Sequence, residues 1–285
     1  MSNCEDMNIV PKPGAKIETK ELQHIMLGVL TTFAGFCEKN QLRYYLDAGT
    51  LLGAIRHKGF IPWDNDVDVG MPREDYNRLL LLMEGMRDQL DENIVIERPE
   101  NTIYSFLKIG DRRTRLIEFP EKNPIECYAY IDVFPQDGIR SLNRRAKMVC
   151  WMSEKLSLLH WFCKYSIPCW KKNSGMLKRF VAYTGDLLLR DKQCGYRLQM
   201  RLINRYIKRN PFDQCAYGTT LVNGEYQKCA PIAYCTRTVD YPFEGRMFKI
   251  PETFDEYLTA LYGKDYMTPP PEDKRWIHNI ECYWR

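Results

Sequence analysis

Three aspartates spaced two apart, Asp64, Asp66 and Asp68, lie close behind a Gly49-Thr50 pair and a basic tripeptide, Arg56-His57-Lys58. Side chains alternate along an extended strand, so the three carboxylates would share one face while Val67 and Val69 turn to the core. Asp66 and Asp68 would then have Cα atoms roughly 6.6 Å apart, within reach of one divalent cation. Like charges on one face repel unless a cation neutralises them, and all-oxygen ligands favour Mg²⁺ or Mn²⁺ over zinc. An Asp-x-Asp-x-Asp run is usually a solvated turn, but such a turn gains nothing from valines placed between its acids. Upstream, Tyr44-Tyr45-Leu46 reads as a short strand ending at Gly49-Thr50 and followed by an apolar helical turn, Leu51 to Ile55. A strand entering a helix through glycine turns backbone N–H groups toward an anion, and Arg56, His57 and Lys58 follow as phosphate partners.

The flanking periodicities supply elements to hold these groups. Leu22, Ile25, Met26, Val29, Leu30, Phe33 and Phe36 are three and four apart, which predicts an amphipathic helix over 17–39. Pro72 suits a first helical turn, with Tyr76, Leu79, Leu80 and Met83 continuing one face. Ile94 to Ile96, Tyr104 to Ile109, Leu116 to Phe119 and Ala129 to Phe134 read as four strands separated by polar turns. Asp132 alternates with Ile131 and Val133 as Asp66 and Asp68 do with their neighbours, and Asp137 is assigned to a Phe-Pro-Gln-Asp-Gly turn. A tail helix is expected from Pro251 to about Gly263.

Residues 140–210 differ in kind. They hold seventeen Lys or Arg against three acids (Glu154, Asp186 and Asp191), a surplus of +14 in a chain of net charge +4, so the remainder carries −10. They are also rich in leucine and aromatics, including Trp151, Trp161, Phe162, Tyr165 and Trp170. This stretch is read as a helical insertion with breaks at Pro168 and Asn173-Ser174-Gly175. Its charge asymmetry suits an anionic partner: the inner membrane surface, a polyanionic glycan or, less favourably, nucleic acid. A solvated helical lid is the plain alternative.

With 285 residues and 45% hydrophobic content the chain can bury a full core. No run of about 18 apolar residues occurs, which excludes an ordinary transmembrane helix. The first residues lack the basic start and apolar run of a secretory signal, so a cytoplasmic location is expected, with peripheral contact at the inner face of the membrane. The eleven cysteines are scattered and odd in number, and His160, Cys163, Cys169, Cys215, Cys229 and Cys235 form no Cys-x-x-Cys pair. They read as free thiols.

The string Gly49-Thr50-Leu51-Leu52-Gly53-Ala54, Arg56-His57-Lys58-Gly59-Phe60-Ile61-Pro62-Trp63-Asp64, Asp66 and Asp68 resembles the signature of the LicD family of phosphotransferases, within the nucleotidyltransferase superfamily. Tyr130 to Gly138 is similar to the family's second motif. The tail, from Phe254 through Tyr257-Leu258, Tyr262-Gly263 and Pro269-Pro270-Pro271 to Arg275 and His278, is similar to its C-terminal one. Many members carry three consecutive aspartates after the tryptophan, and here the middle one is Asn65, a position whose parity turns it away from Asp66 and Asp68.

The resemblance implies an α+β fold: a nucleotidyltransferase-like mixed sheet flanked by helices, with the basic helical insertion. The core would be 1–139, the insertion 140–210, and 211–285 would complete the catalytic domain. It implies Mg²⁺ or Mn²⁺ on Asp66 and Asp68, with Asp132 as third ligand or as base. Gly49, Thr50, Arg56 and Lys58 would hold phosphate, with Trp63, Asp64, His57 and His278 as further substrate contacts. The implied reaction moves a phospho-head group, phosphocholine first, from a CDP-linked donor to a glycan or glycolipid acceptor. A choline group needs an aromatic cage, for which Trp63, Tyr128, Tyr130 and Trp276 are candidates. Two rivals stand beside this: a nucleotidyltransferase using an NTP on a small molecule, and a non-catalytic membrane or nucleic-acid binding module.

Overall fold

Apolar side chains spaced three and four apart bury Leu22, Ile25, Met26, Val29, Leu30, Phe33 and Phe36 along one face of helix α1 (Thr19–Lys39), as that spacing requires. The computed structural model describes residues 13–85, 91–119, 124–173, 175–189, 191–275 and 277–285. Ser174 and Trp276, the side chain of Cys169 and the first twelve residues lie outside the described residues.

A short strand β1 (Lys16–Ile17) precedes α1, and β2 (Tyr45–Leu46) leads into α2 (Ala48–His57). Next come β3 (Asp68–Pro72), α3 (Arg73–Gly85), β4 (Ile94–Glu97), β5 (Leu107–Glu118) and β6 (Ile125–Ile139). Helices α4 (Arg144–Trp161), α5 (Ile167–Asn173), α6 (Met176–Leu188) and α7 (Cys194–Ile207) follow, with a π-helical turn at Phe162–Ser166 joining the first two. The chain continues through β7 (Tyr217–Thr219), β8 (Ala230–Pro231), α8 (Ala233–Thr236), the hairpin β9 (Thr238–Phe243) and β10 (Arg246–Pro251), α9 (Phe254–Tyr262) and β11 (Ile280–Trp284).

The main sheet runs β1-β11-β5-β6-β3-β2, with β4 on β5 and β7 linking β6 to β8. It is a mixed sheet, because β3 and β6 are parallel while the other pairs are antiparallel. The chief core packs α1 and α2 with the sheet, including Phe33, Leu46, Leu51, Val69, Ile109 and Ile131. A second core joins α4 and α7 to the end of β6 through Ile139, Val149, Ile203 and Leu221. There the buried Gln199 amide donates to the carbonyls of Ser153 and Val222. No helix among the described residues is long and apolar enough to cross a membrane.

Several local expectations need correction. β3 begins at Asp68, so Asp64 and Asp66 lie in an irregular lead-in rather than in the strand. Pro72 closes that strand, and α3 starts one residue later. Tyr104–Ile109 and Leu116–Phe119 are not two strands. One strand, β5, passes through a bulge between Asp111 and Leu116, where Asp111 accepts from the Arg113 N–H and its carbonyl accepts from the Thr114 hydroxyl. Pro168 follows the π-helical turn at Phe162–Ser166 within a continuous helical run and does not end the helix. Pro251 pairs with Thr238 at the end of the hairpin, which delays α9 to Phe254.

The largest correction concerns Asp137, which belongs to no turn. β6 continues through it to pair with Thr219 of β7, and its fully buried carboxylate takes both Nε and Nη2 of Arg73, at 2.7 and 2.8 Å. This two-pronged pair pins the start of α3 to the sheet beside the aspartate strands. Arg73→Leu leaves the Asp137 charge buried and uncompensated, so urea denaturation should show a loss of about 3–5 kcal/mol. The Arg73→Leu/Asp137→Leu double variant should recover most of that loss.

Candidate active site

The N-terminus of α2 is built around Asp47. Its carboxylate caps the helix by accepting from the Ala48 N–H at 2.7 Å, and it also accepts from the Tyr257 hydroxyl. Ala48, the first residue of α2, takes a left-handed φ of 43°. A Cβ at Gly49 would meet Asp64 Oδ2 at 3.0 Å, so glycine is what lets that carboxylate close on the helix end. The Thr50 hydroxyl accepts from the Asp68 N–H at 2.8 Å and so ties α2 to β3.

Parallel pairing sets Asp68 beside Asp132 in register. Burial, then the charges of Asp66, Asp132, Asp47 and Asp64, pushes the Asp68 carboxyl well above the usual carboxylate range. Burial and the neighbouring Asp66 push Asp64 up to about 8. Asp66 behaves oppositely. Burial would raise it, but His278 Nε2 stands 2.9 Å from its Oδ2, and the pair holds Asp66 low and His278 high. Asn65 turns aside and donates to the His278 carbonyl at 3.1 Å, helping to seat the tail over the aspartates.

Asp132 has its own cation. The buried Lys108 ammonium lies 2.8 Å from Asp132 Oδ1 and 3.8 Å from Glu118. It is enclosed by aromatic faces, 3.2 Å from the Tyr130 ring centre, 4.3 Å from Tyr104 and 5.5 Å from Phe106. The hydroxyls of Tyr104 and Tyr130 both donate to Glu118. Burial, opposed by Lys108, leaves Asp132 at about 6. The sequence reading missed Lys108, although one charge between Leu107 and Ile109 was a visible irregularity.

Asp64, Asp66, Asp68 and Gly49 line a cavity of about 540 Å³, together with Arg56, Trp63 and His278. The tail adds Tyr262, Tyr266 and Lys274, which the spacing arguments did not single out. Arg56 donates to the Tyr266 carbonyl at 3.0 Å. Lys58 is not on that wall, because its ammonium meets the Tyr241 hydroxyl and lies 4.3 Å from that ring. His57 packs edge-on to Trp63 and does not line the cavity either. A second cavity of about 230 Å³ shares Ala48 and Asp68 with the first and is walled by Asp47, Phe134, Gln136, Thr220, Glu225 and Tyr257. Of the described cage candidates, Trp63 borders the larger space and Tyr128 and Tyr130 border neither. Trp63 carries Arg275 on its face at 4.1 Å, Tyr130 carries Lys108, and Tyr128 lies under Arg285 at 4.7 Å.

Among the described residues, no three His, Cys, Asp or Glu side chains stand ready-made around one point as a metal site. The donor set nonetheless fits a hard divalent cation. Burial and four neighbouring carboxylates leave Asp68 strongly disfavoured as an anion, and the hard oxygens of Asp64 and Asp66 face the same cavity beside it. His278 on Asp66 and Lys108 on Asp132 each hold one carboxylate of the group.

The raised groups fix the sign of a pH effect. Asp64 rises from 3.8 to about 8 and Asp132 to about 6, so the folded chain binds more protons than the unfolded chain across that window. Stability without metal therefore falls as pH rises from about 4 to 8, and the raised His278 acts in the same direction. Asp66, held low, adds no slope there. Thermal unfolding should show Mg²⁺ or Mn²⁺ raising Tm by about 2–4 °C at pH 8 and by less at pH 5. Asp66→Asn/Asp68→Asn should abolish the difference.

The family described as LicD/FKTN/FKRP, nucleotidyltransferase domain, matches residues 41–143, the stretch from β2 through β6 that carries all these aspartates. Over 274 residues the chain is 31% identical to the lipopolysaccharide cholinephosphotransferase LicD of Haemophilus influenzae, covering 93% of this chain and 97% of that protein. A 41-residue segment is 54% identical to the ribitol 5-phosphate transferase FKRP of Homo sapiens, covering 14% of this chain and 8% of the relative. Mannosyltransferase regulator 4 of Saccharomyces cerevisiae is 31% identical over 118 residues, 41% of this chain and 9% of its own length. Similarity sustained along nearly the whole of both chains, with the shared stretch coinciding with the aspartate strands, places the protein: it belongs to the LicD family of phosphotransferases.

Proposed function

We propose that this chain transfers phosphocholine from CDP-choline to a hydroxyl of a cell-surface glycan precursor, such as lipopolysaccharide, teichoic acid or capsule, and releases CMP. The observation that carries this reading is the meeting of the α2 N-terminus, Asp66 and Asp68 on the wall of the 540 Å³ cavity, with Asp132 next to Asp68 in register. The cholinephosphotransferase named among the relatives supports phosphocholine, and the ribitol phosphate transferase marks another head group within reach of the same chemistry. We read the sheet as nucleotidyltransferase-like and α4 to α7 as its basic helical insertion, with 1–139 and 211–285 forming the catalytic domain. The described cysteines are free thiols, which suits a reducing, cytoplasmic setting.

The nucleotide half of the donor lies in the larger cavity against Trp63, Tyr262 and Tyr266, with Arg56 and Lys274 offsetting the diphosphate charge. The Gly49 turn presents backbone N–H groups to a phosphate. The head group enters the smaller cavity, where the Asp47 carboxylate and the rings of Phe134 and Tyr257 suit a quaternary ammonium, while Glu225 on the same wall is paired with Lys228. Asp66 and Asp68 would hold Mg²⁺ or Mn²⁺, whose chemistry there is to neutralise phosphate oxygens. Asp132 accepts the proton of the acceptor hydroxyl, whose oxygen bonds to the distal phosphorus as the bond to the CMP oxygen breaks. Lys108 orients Asp132 and favours its anionic form. His278 and Asp64 close the cavity over the leaving nucleotide.

CMP release measured across CDP-choline, CDP-ethanolamine, CDP-ribitol and CDP-glycerol, beside a panel of NTPs, tests this. One CDP donor should turn over, Asp66→Ala/Asp68→Ala should abolish the reaction, and Asp132→Asn should slow it by about 10²–10⁴-fold. The rate should fall below about pH 6 as Asp132, raised by burial against Lys108, takes up its proton. Pyrophosphate release from an NTP would instead make the chain a nucleotidyltransferase.

A further inference from the structure

Helix α6 is amphipathic in the reverse of the usual sense. At about 100° per residue, Met176, Phe180, Tyr183 and Leu187 form one stripe, with Leu177 and Leu188 beside it. The side turned to the protein is small: Ala182 is the helix's buried residue, and a Cβ at Gly185 would touch Ile167 of α5 at 3.4 Å. The large side chains face out, with Met176 89%, Leu177 77%, Phe180 66%, Leu187 67% and Leu188 82% exposed. A surface helix packed for a water-soluble domain does the opposite, and a contiguous apolar face of this kind marks a surface that something covers.

Charge decides what covers it. Arg179 flanks the apolar stripe, and Lys171 and Lys172 end the helix before it. The helix's one acid, Asp186, is already paired with both Lys171 and Lys192. The patch is therefore apolar at its centre and cationic at its margin, within a segment whose charge is +14. A second copy seated on this face by two-fold symmetry would bring the same cations together. An anionic lipid surface meets both features at once. Thirteen residues span only about 20 Å, so the helix would lie in the interface and not cross the bilayer.

We propose that α6 is a membrane-docking helix, laying Leu177, Phe180, Leu187 and Leu188 among the acyl chains of an anionic phospholipid bilayer with Arg179 and Lys172 at its phosphates. A glycolipid acceptor held in that bilayer then meets an enzyme already at its surface, but docking itself requires no turnover. Co-sedimentation of the full chain with phosphatidylcholine vesicles, with and without an equal share of phosphatidylglycerol, tests it. The chain should pellet with the anionic vesicles and lose that binding as salt rises. Leu177→Glu/Leu187→Glu should weaken binding by at least about tenfold, and Lys172→Ala or Arg179→Ala by about fivefold each. Lys172, Leu177, Arg179 and Leu187 are all exposed, so circular dichroism and the melting profile should stay as in the wild type, as should CMP release with a soluble acceptor. Failure of the wild type to pellet, or equal pelleting by the Leu177→Glu/Leu187→Glu variant, overturns the proposal. So does a wild-type dimer in sedimentation equilibrium that the same substitutions dissolve.

Discussion

Asp68 and Asp132 sit side by side because β3 and β6 run parallel, and much of the chain is arranged to make that crowding tolerable. Two carboxylates buried in register would by themselves favour separation of the strands. The strands are kept together by fully buried Val67, Val69, Ile131 and Val133 around the acids and by the Thr50 hydroxyl on the Asp68 amide. The Arg73–Asp137 pair one turn of the sheet further along fixes the same junction from the helix side. Packing energy spent elsewhere thus holds acids in a geometry that their own electrostatics oppose, which is the usual condition of a site built to receive positive charge.

The chain also supplies two positive charges of its own. His278 reaches Asp66 from the tail and Lys108 reaches Asp132 from β5, one at the cavity mouth and one in an aromatic enclosure. Their surroundings give them different duties. The half-exposed His278 borders the cavity and can give way to an incoming ligand, whereas Lys108 is 2% exposed and is fixed by three rings and Glu118. Lys108 is thus a permanent part of the Asp132 environment, and His278 is an exchangeable one.

What was legible in the sequence was whatever depended on neighbours along the chain. The α1 face, the strand-to-helix step at Gly49 and the alternation of Asp68 with buried valines all follow from local period. Asp137 was misread because Phe-Pro-Gln-Asp-Gly has the composition of a turn, while its partners Arg73 and Thr219 lie far away in sequence. Lys108 became meaningful only once β5 was paired with β6, which sets it opposite Asp132. The outward apolar face of α6 was present as a pattern, but a pattern cannot say which side of a helix meets the protein.

Strand order has a further consequence for how the protein is made. β11 lies between β1 and β5, so the first and last described strands are neighbours inside one sheet. As the chain leaves the ribosome, β4 covers Lys108–Asp111 of β5, but the Thr114–Glu118 part must wait with an open edge until residues 280–284 arrive. The Asp66 partner His278 emerges only just before them. A nascent or truncated chain lacking that strand would expose a sticky sheet edge and leave the acidic cavity unroofed, so assembly of the sheet and completion of the site are one event in time.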